Sequence, residues 1–199
     1  MTGGYLKGRL RREDIITAAI EVYREAGYHG SSLREVAKRA GITHAGLIYY
    51  FPSKEALLAA VLERRDTEDS EREQLNVAAR GLEFFRHILA LAEYNVAHPG
   101  IVDLYVRLAA EAVAEDHPAH DYFVRHYRFA RESVLESFRA LADSGELRPG
   151  VDVEVAALTF IALEDGLQTQ WLTRPDEVDL VGSLRFYLQS LLTVPLEDS

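Results

Sequence analysis

The chain has 199 residues, 48% of them apolar, with 22 Lys+Arg against 32 Asp+Glu and a formal net charge of −10; that is apolar content enough for a core, and length for one small domain and one larger one. It contains no cysteine, which excludes a disulfide framework, a thiol redox sensor and a cysteine-ligated zinc site, and fits a reducing cytoplasm. No apolar run approaches the ~20 residues needed to cross a bilayer and no secretion signal leads the chain, so no membrane partner is expected.

In chain order, the first helix is expected over residues 12–26, with Ile15, Ile16, Ala19, Val22, Tyr23 and Ala26 on one stripe and Gly27 stopping it. Before it, Lys7, Arg9, Arg11 and Arg12 lie near three glycines, which reads either as a mobile arm reaching a polyanion or as a tail with incidental charge. The segment SLREVAKRAGITHAGLIYYFPSK, Ser32 to Lys54, carries the most information. Ser32 can cap a short helix, with Glu35 three residues on completing a capping box. Leu33, Val36, Ala37 and Ala40 share its apolar face and leave Arg34, Lys38 and Arg39 to water. Gly41 ends it in the left-handed region and Ile42 anchors the turn. Thr43 caps a second helix whose first turn, His44-Ala45-Gly46, is small enough for close approach to another surface. Leu47 faces inward, Tyr49 and Tyr50 bring phenol hydroxyls, and Pro52-Ser53 ends this helix and caps the next at Lys54. Two capped helices around a glycine turn, with hydroxyls and cations at the margins, form a helix-turn-helix reader of DNA. The bland alternative makes Tyr49, Tyr50 and Phe51 core aromatics.

Charge divides the same way. Residues 1–56 hold 9 Lys+Arg against 6 Asp+Glu, and residues 57–199 hold 13 against 26. Phosphate affinity therefore belongs to the N-terminal part, because exposed charges are screened within about 10 Å at ordinary salt.

On these residues, from Arg11 to about Leu62, the chain resembles the tetracycline-repressor (TetR) family of bacterial one-component transcription regulators. That family's signature runs alanine, two residues, alanine-glycine-valine-serine, then leucine-tyrosine-tyrosine-histidine-phenylalanine, two residues and lysine. By resemblance, Ser32 belongs to the DNA-binding set, Thr43, Tyr49, Tyr50 and Lys54 fall on positions that grip phosphates, and His44, Ala45 and Gly46 on those nearest the base edges. Gly46 stands in place of the usual threonine, Ile48 of the first tyrosine and Tyr50 of the common histidine. The resemblance implies a cytoplasmic homodimeric repressor, nucleoid-associated when bound, sitting on a palindromic operator and released by a small-molecule effector, with no cofactor. Effector binding would act by moving the helix that begins at Lys54.

The division is residues 1–56, arm and reader, and 57–199, effector-binding and dimerisation. After Ser53 a helix carries Leu57, Leu58, Val61 and Leu62 into the charged run ERRDTEDSERE, which either frays or marks the boundary. Five further helices are expected over 75–97, 101–116, 119–143, 152–173 and 177–192, separated by Pro99-Gly100, His117-Pro118, Ser144-Gly145, Pro149-Gly150 and Pro175. No strand-like alternation occurs, so the fold is expected to be all-α.

The last two of these helices are apolar over a wide arc. Leu163, Gly166, Leu167 and Trp171 on one, with Leu184, Tyr187, Leu188 and Leu191 on the other, are expected at a dimer interface, as is also the family's habit; Gly166 inside a helix suggests a close helix–helix approach. The middle helices are dense in aromatics and histidines. Phe85, Tyr94, Tyr105, Tyr122, His126 and Phe129, with Phe160, Glu164 and Gln168, are candidates for an effector pocket, each with core packing as its alternative. His117 and His120 beside Asp116 and Asp121 have ligand chemistry, but capping explains the aspartates and no metal is expected. There is no phosphate-cradling glycine loop, nucleophile elbow or HExxH, and Glu164 and Asp165 point to different helix faces, so no enzyme is expected. A helical adaptor binding a protein through its acidic surface is the other alternative.

Overall fold

The computed structural model describes the backbone of residues 3–73 and 79–196, and the side chains of residues 8, 10–64, 79–100 and 102–196. Nine helices follow one another in the described residues: α1 Gly3–Gly30, α2 Leu33–Arg39, α3 His44–Tyr50, α4 Lys54–Glu73, α5 Leu82–Ala97, α6 Pro99–Glu111, α7 His120–Asp143, α8 Val153–Thr173 and α9 Leu180–Leu191. Extended pairing among them is a single isolated bridge, Leu147 with Leu192, so the fold is all-α, as the patterning predicts. None of the helices described is long and apolar enough to cross a membrane.

Two compact units divide the chain: Met1–Glu68 with Asp103–Asp121, and Asp69–Val102 with Tyr122–Ser199. Composition placed the division after residue 56, whereas by contact density the first unit continues to Glu68 and takes back the end of α6. The charged run, expected either to fray or to mark the boundary, is helical to Glu73, and the unit boundary falls inside it.

In the first unit, α1 buries Ile15, Ile16, Ala19, Val22 and Tyr23 completely; Ala26, assigned to the same stripe, is exposed. The lead-in, read either as a mobile arm or as a tail with incidental charge, is helical from Gly3. Lys7 and Arg9 lie outside the described side chains, while Arg11 pairs with Asp14 at 3.8 Å and the Arg12 guanidinium sits 5.1 Å from the centre of the Phe51 ring. At Gly27 the backbone leaves the helical region (φ 70, ψ 174) before one more turn, Tyr28 to Gly30. Glycine is favoured there by its backbone, and a side chain would also displace a carboxylate. The positive φ penalises any side chain, and a Cβ at residue 27 would lie 2.6 Å from Glu111 Oε1.

α6 begins two residues before its expected start and ends at Glu111 instead of 116. Proline can head a helix because the N–H it lacks would be unpaired there anyway. Past Glu111 the chain coils into turns held by His117 N–H to Ala114 O at 3.0 Å and His120 N–H to His117 O at 2.8 Å, and these bury His117. Part of the helix expected over 75–97 lies outside the described residues; α5 is described from Leu82.

The second unit closes on three fully buried rings. Phe85 lies 4.7 Å from Phe138 and 5.4 Å from Phe160, centre to centre, which ties α5, α7 and α8 together. Asp152 and Asp179 cap α8 and α9, accepting from Glu154 N–H at 2.9 Å and Gly182 N–H at 2.8 Å. The link before α8 is held to the end of α9 by Arg148 N–H to Leu191 O and Thr193 N–H to Glu146 O, both 2.8 Å.

Replacing Gly27 by alanine therefore forces a side chain into a left-handed position against the Glu111 carboxylate. The expected loss is about 1–3 kcal/mol, read as a Tm lower by several degrees in thermal unfolding; an unchanged Tm would show that the break does not need glycine.

Candidate nucleic-acid interface

Three hydroxyl caps set the start of each short element. Glu35 N–H donates to Ser32 Oγ at 3.2 Å, Gly46 N–H to Thr43 Oγ1 at 3.0 Å and Ala56 N–H to Ser53 Oγ at 3.1 Å. Ser32 thus acts as a helix cap here. Between α2 and α3, Gly41 at φ 65 lets Ile42 N–H reach Ala37 O at 3.0 Å and Gly41 N–H reach Lys38 O at 3.2 Å, the paired bonds that close a helix on a left-handed residue.

With the turn fixed, the register of α3 decides what is presented. Leu47 is buried, while His44 and Ala45 are exposed and Gly46, Ile48 and Tyr50 are half-buried. Tyr49 is 84% exposed and meets Tyr50 edge to face at 5.2 Å. The reading of these aromatics as core holds for Phe51 alone, which is 3% exposed. Gly46 has a local constraint, since a Cβ there would lie 3.2 Å from Thr43 Oγ1, the capping oxygen.

Two cations assigned to solvent or phosphate also make contacts within the scaffold. Arg39 grips Glu25 with two bonds of 2.7 and 2.6 Å and reaches Glu21 at 3.4 Å, fixing α2 against α1 through a bidentate pair; that bond is the main cause holding the Glu25 carboxyl below its usual range. Lys54 donates to Ser31 O at 2.7 Å and lies 4.3 Å from the centre of the Tyr28 ring. Burial is the main cause that lowers its pKa, with Glu55 and Glu111 opposing. Tyr28 in turn donates from its hydroxyl to Glu55 at 3.3 Å and from its N–H to Glu111 Oε2 at 3.2 Å; burial first, then Glu55, pushes its phenol up to about 12. Neither Tyr28 nor Glu111 stood out in the sequence, because their partners come from distant segments. Arg34 and Lys38 remain exposed on α2.

The residues assigned to an effector pocket come from both units. Phe85 and Phe160 belong to the buried ring cluster, and Tyr105 lies in the first unit while the others lie in the second. Phe129 is 65% exposed: it sits about half a turn from the buried Phe138 on the 3.6-residue period, so α7 turns it to solvent. Tyr94, Tyr122 and His126 are half-buried, Tyr122 and His126 stacking at 6.1 Å. Gln168 donates to Glu164 at 3.4 Å along α8.

Of the residues assigned to a dimer interface, Leu167, Trp171, Leu184 and Leu188 are buried within this chain, whereas Leu163, Gly166, Tyr187 and Leu191 are half-buried. Tyr187 donates to Ala156 O at 3.1 Å, an internal tie between α9 and α8. The outward stripe of α8 is Val155, Leu158 and Ala162, and α9 exposes Phe186. No neighbour lies within 4 Å of a Cβ built at Gly166, so among the described residues the close approach suggested by that glycine is absent. His117 and His120 do not converge; the ring of His120 meets Ala112 O at 2.9 Å.

Residues 15–61 match the family described as bacterial regulatory proteins, tetR family. Residues 85–193 match the BetI-type transcriptional repressor C-terminal family. The chain is 33% identical over 108 residues to the HTH-type transcriptional regulator RutR of Escherichia coli, the match spanning 54% of this chain and 43% of RutR. It is 26% identical over 187 residues to the fatty acid metabolism regulator protein of Bacillus subtilis, covering 90% of this chain and 92% of that one. Among solved structures, SmeT of Stenotrophomonas maltophilia in complex with triclosan superposes with a TM-score of 0.79 at 19% identity over 95% of each chain.

Lys54→Ala removes a charged hydrogen bond and a cation–π contact at the start of α4, at a cost of about 1–2 kcal/mol. Urea unfolding of the free protein should show that loss; a wild-type midpoint would leave Lys54 without this scaffold role.

Proposed function

The chain belongs to the tetR family of bacterial regulatory proteins, and from that premise we propose that it is a cytoplasmic, effector-responsive DNA-binding regulator, acting as a homodimeric repressor on a palindromic operator. The observation that carries the reading is the outward face of α3. His44 and Ala45 stand exposed at its capped start and Tyr49 is 84% exposed, on a helix whose Leu47 and turn are locked inward. His44 and Ala45, with the small Gly46, are the residues for base edges, and Tyr49, Tyr50 and Thr43 supply hydroxyls for phosphates. Lys54 serves DNA by holding α4 to Ser31, so its effect on affinity is uniform over sequences.

Two copies would place their α3 helices in successive major grooves, about 34–36 Å apart. The face for pairing is the outward stripe of α8 with Phe186 of α9, since Leu184 and Leu188 are already used inside. A glycine in mid-helix costs roughly 1 kcal/mol relative to alanine, and Gly166, open on its Cβ side, fits close approach by a second copy. The effector belongs to the helical part C-terminal to α4, where Tyr94, Tyr122 and His126 keep polar tips on apolar bodies; that SmeT was solved in complex with triclosan supports a small organic molecule. Linkage then requires operator and effector to lower each other's affinity by one common factor.

Selection of random duplex DNA at about 0.15 M salt, where non-specific phosphate attraction is damped, should recover a palindrome with half-sites one turn apart. Folded protein that enriches nothing would overturn the reading. Tyr49→Phe should weaken all sites alike, while His44→Ala should change base preference by the 1–3 kcal/mol, roughly, that a base contact provides; uniform rescaling by His44→Ala would remove it from base reading.

Phe186→Asp places a charge in the proposed dimer face without touching the chain's own core. Sedimentation should then show a monomer with native helicity where the wild type is a dimer; a dimeric variant would move the interface elsewhere.

A further inference from the structure

The first unit gathers two imidazoles and a carboxylate that the sequence keeps far apart. His29 ends α1, Glu111 ends α6, and His117 lies in the turns before α7; one ligating atom from each lies within 4.8 Å of the other two. His117 has 0% side-chain exposure and its Nε2 stands 3.6 Å from Glu111 Oε2. Buried without a hydrogen bond, that nitrogen is a group that calls for a partner. The His29 and His117 rings are 5.2 Å apart. We propose that His29, Glu111 and His117 bind one divalent transition-metal cation of the Zn²⁺ type, bridging the end of α1, the end of α6 and the turns between α6 and α7.

The donor set suits that class, because two imidazole nitrogens and a carboxylate oxygen favour zinc and its neighbours over calcium or magnesium. With bonds of about 2.0–2.1 Å, tetrahedral ligands stand about 3.3 Å apart, so the 3.6 Å between His117 and Glu111 is nearly the required spacing. The His29 nitrogen lies within 4.8 Å of both, so this exposed ring must turn inward to close the site, and the fourth position is left to water. The carboxylate is held in place: Oε2 accepts Tyr28 N–H at 3.2 Å, and Gly27 leaves room for Oε1. Oriented carboxylates of this kind are what a cation site needs around its ligands.

The site carries a built-in consequence. His117 Nδ1 accepts Ala119 N–H at 3.1 Å, so the neutral ring bears its proton on Nε2. A cation on Nε2 displaces that proton to solvent while Nδ1 takes one up, with no net change on the ring. Ala119 N–H then loses its acceptor, and the turn leading into α7 must rearrange.

The test uses tag-free protein stripped with chelator, without DNA, so that its outcome is separate from that of operator binding. Calorimetric titration with Zn²⁺ should give one cation per chain, Co²⁺ should show the intense visible bands of four-coordination, and the Ala119 amide resonance should move on binding. His29→Ala, at an exposed position, and Glu111→Gln, which keeps an acceptor for Tyr28, should each weaken affinity at least tenfold with circular dichroism unchanged. Absence of stoichiometric binding by the wild type, or wild-type affinity in His29→Ala, would overturn the site.

Discussion

The first unit depends on the break in α1 at Gly27. Had the helix continued, Tyr28 would lie on its regular surface and its N–H would be spent on the helical ladder. The left-handed glycine instead frees that N–H for Glu111 and turns the phenol toward Glu55, under the Lys54 ammonium. One residue thereby joins α1, the start of α4 and the end of α6. The arrangement is polar and only partly buried, so each bond is modest alone; together they fix the frame on which α2 and α3 stand. Moving Glu111 takes the acceptor from Tyr28 N–H and perturbs a ring that shares Lys54 with Ser31.

Charge in this unit is divided between holding and presenting. Arg12, Arg39 and Lys54 face protein groups, and Arg39 through two carboxylates fixes α2 on α1. Among the described side chains, Arg34 and Lys38 remain outward on α2, with the hydroxyls of Tyr49 and Thr43 on and beside α3. Neutral hydroxyl donors and oriented backbone of this kind can position a duplex without releasing many counterions.

Local signals were legible in the sequence and distant ones were not. Ser32, Thr43 and Ser53 were readable as caps and Gly41 as a helix stop, because each acts within about five residues. The inward Leu47 and the outward His44 follow from one helical period. Periodicity sends Arg39 to water, where it is exposed, but its ion pair was not readable because its partners, Glu21 and Glu25, are a helix away. Glu111 was invisible for the same reason, as was its meeting with His29 and His117. On α7 the density of aromatics suggested a cavity, but the period counted from Phe138 places Phe129 outside. On α8 and α9 both internal and outward faces are apolar, so composition could not separate Leu184, packed at home, from Phe186, left exposed.

Gly46 shows how a departure from a family pattern follows from local packing. α3 has only seven residues, too few for propensity to hold it, so its stability rests on the Thr43 cap and on Leu47. The capping oxygen lies where a Cβ at residue 46 would come to 3.2 Å, tighter than an ordinary contact. A side chain there asks the cap to give by a few tenths of an ångström. With glycine the cap keeps its place and the backbone of the first turn lies bare. On the proposed reading, base discrimination rests on His44, which can donate or accept at a purine edge, and on Ala45, whose methyl can meet only an apolar group such as the thymine methyl. A reader of this kind gains specificity from few side chains and from how closely its backbone approaches, which is why the precision of the turn matters more here than the number of polar groups on the helix.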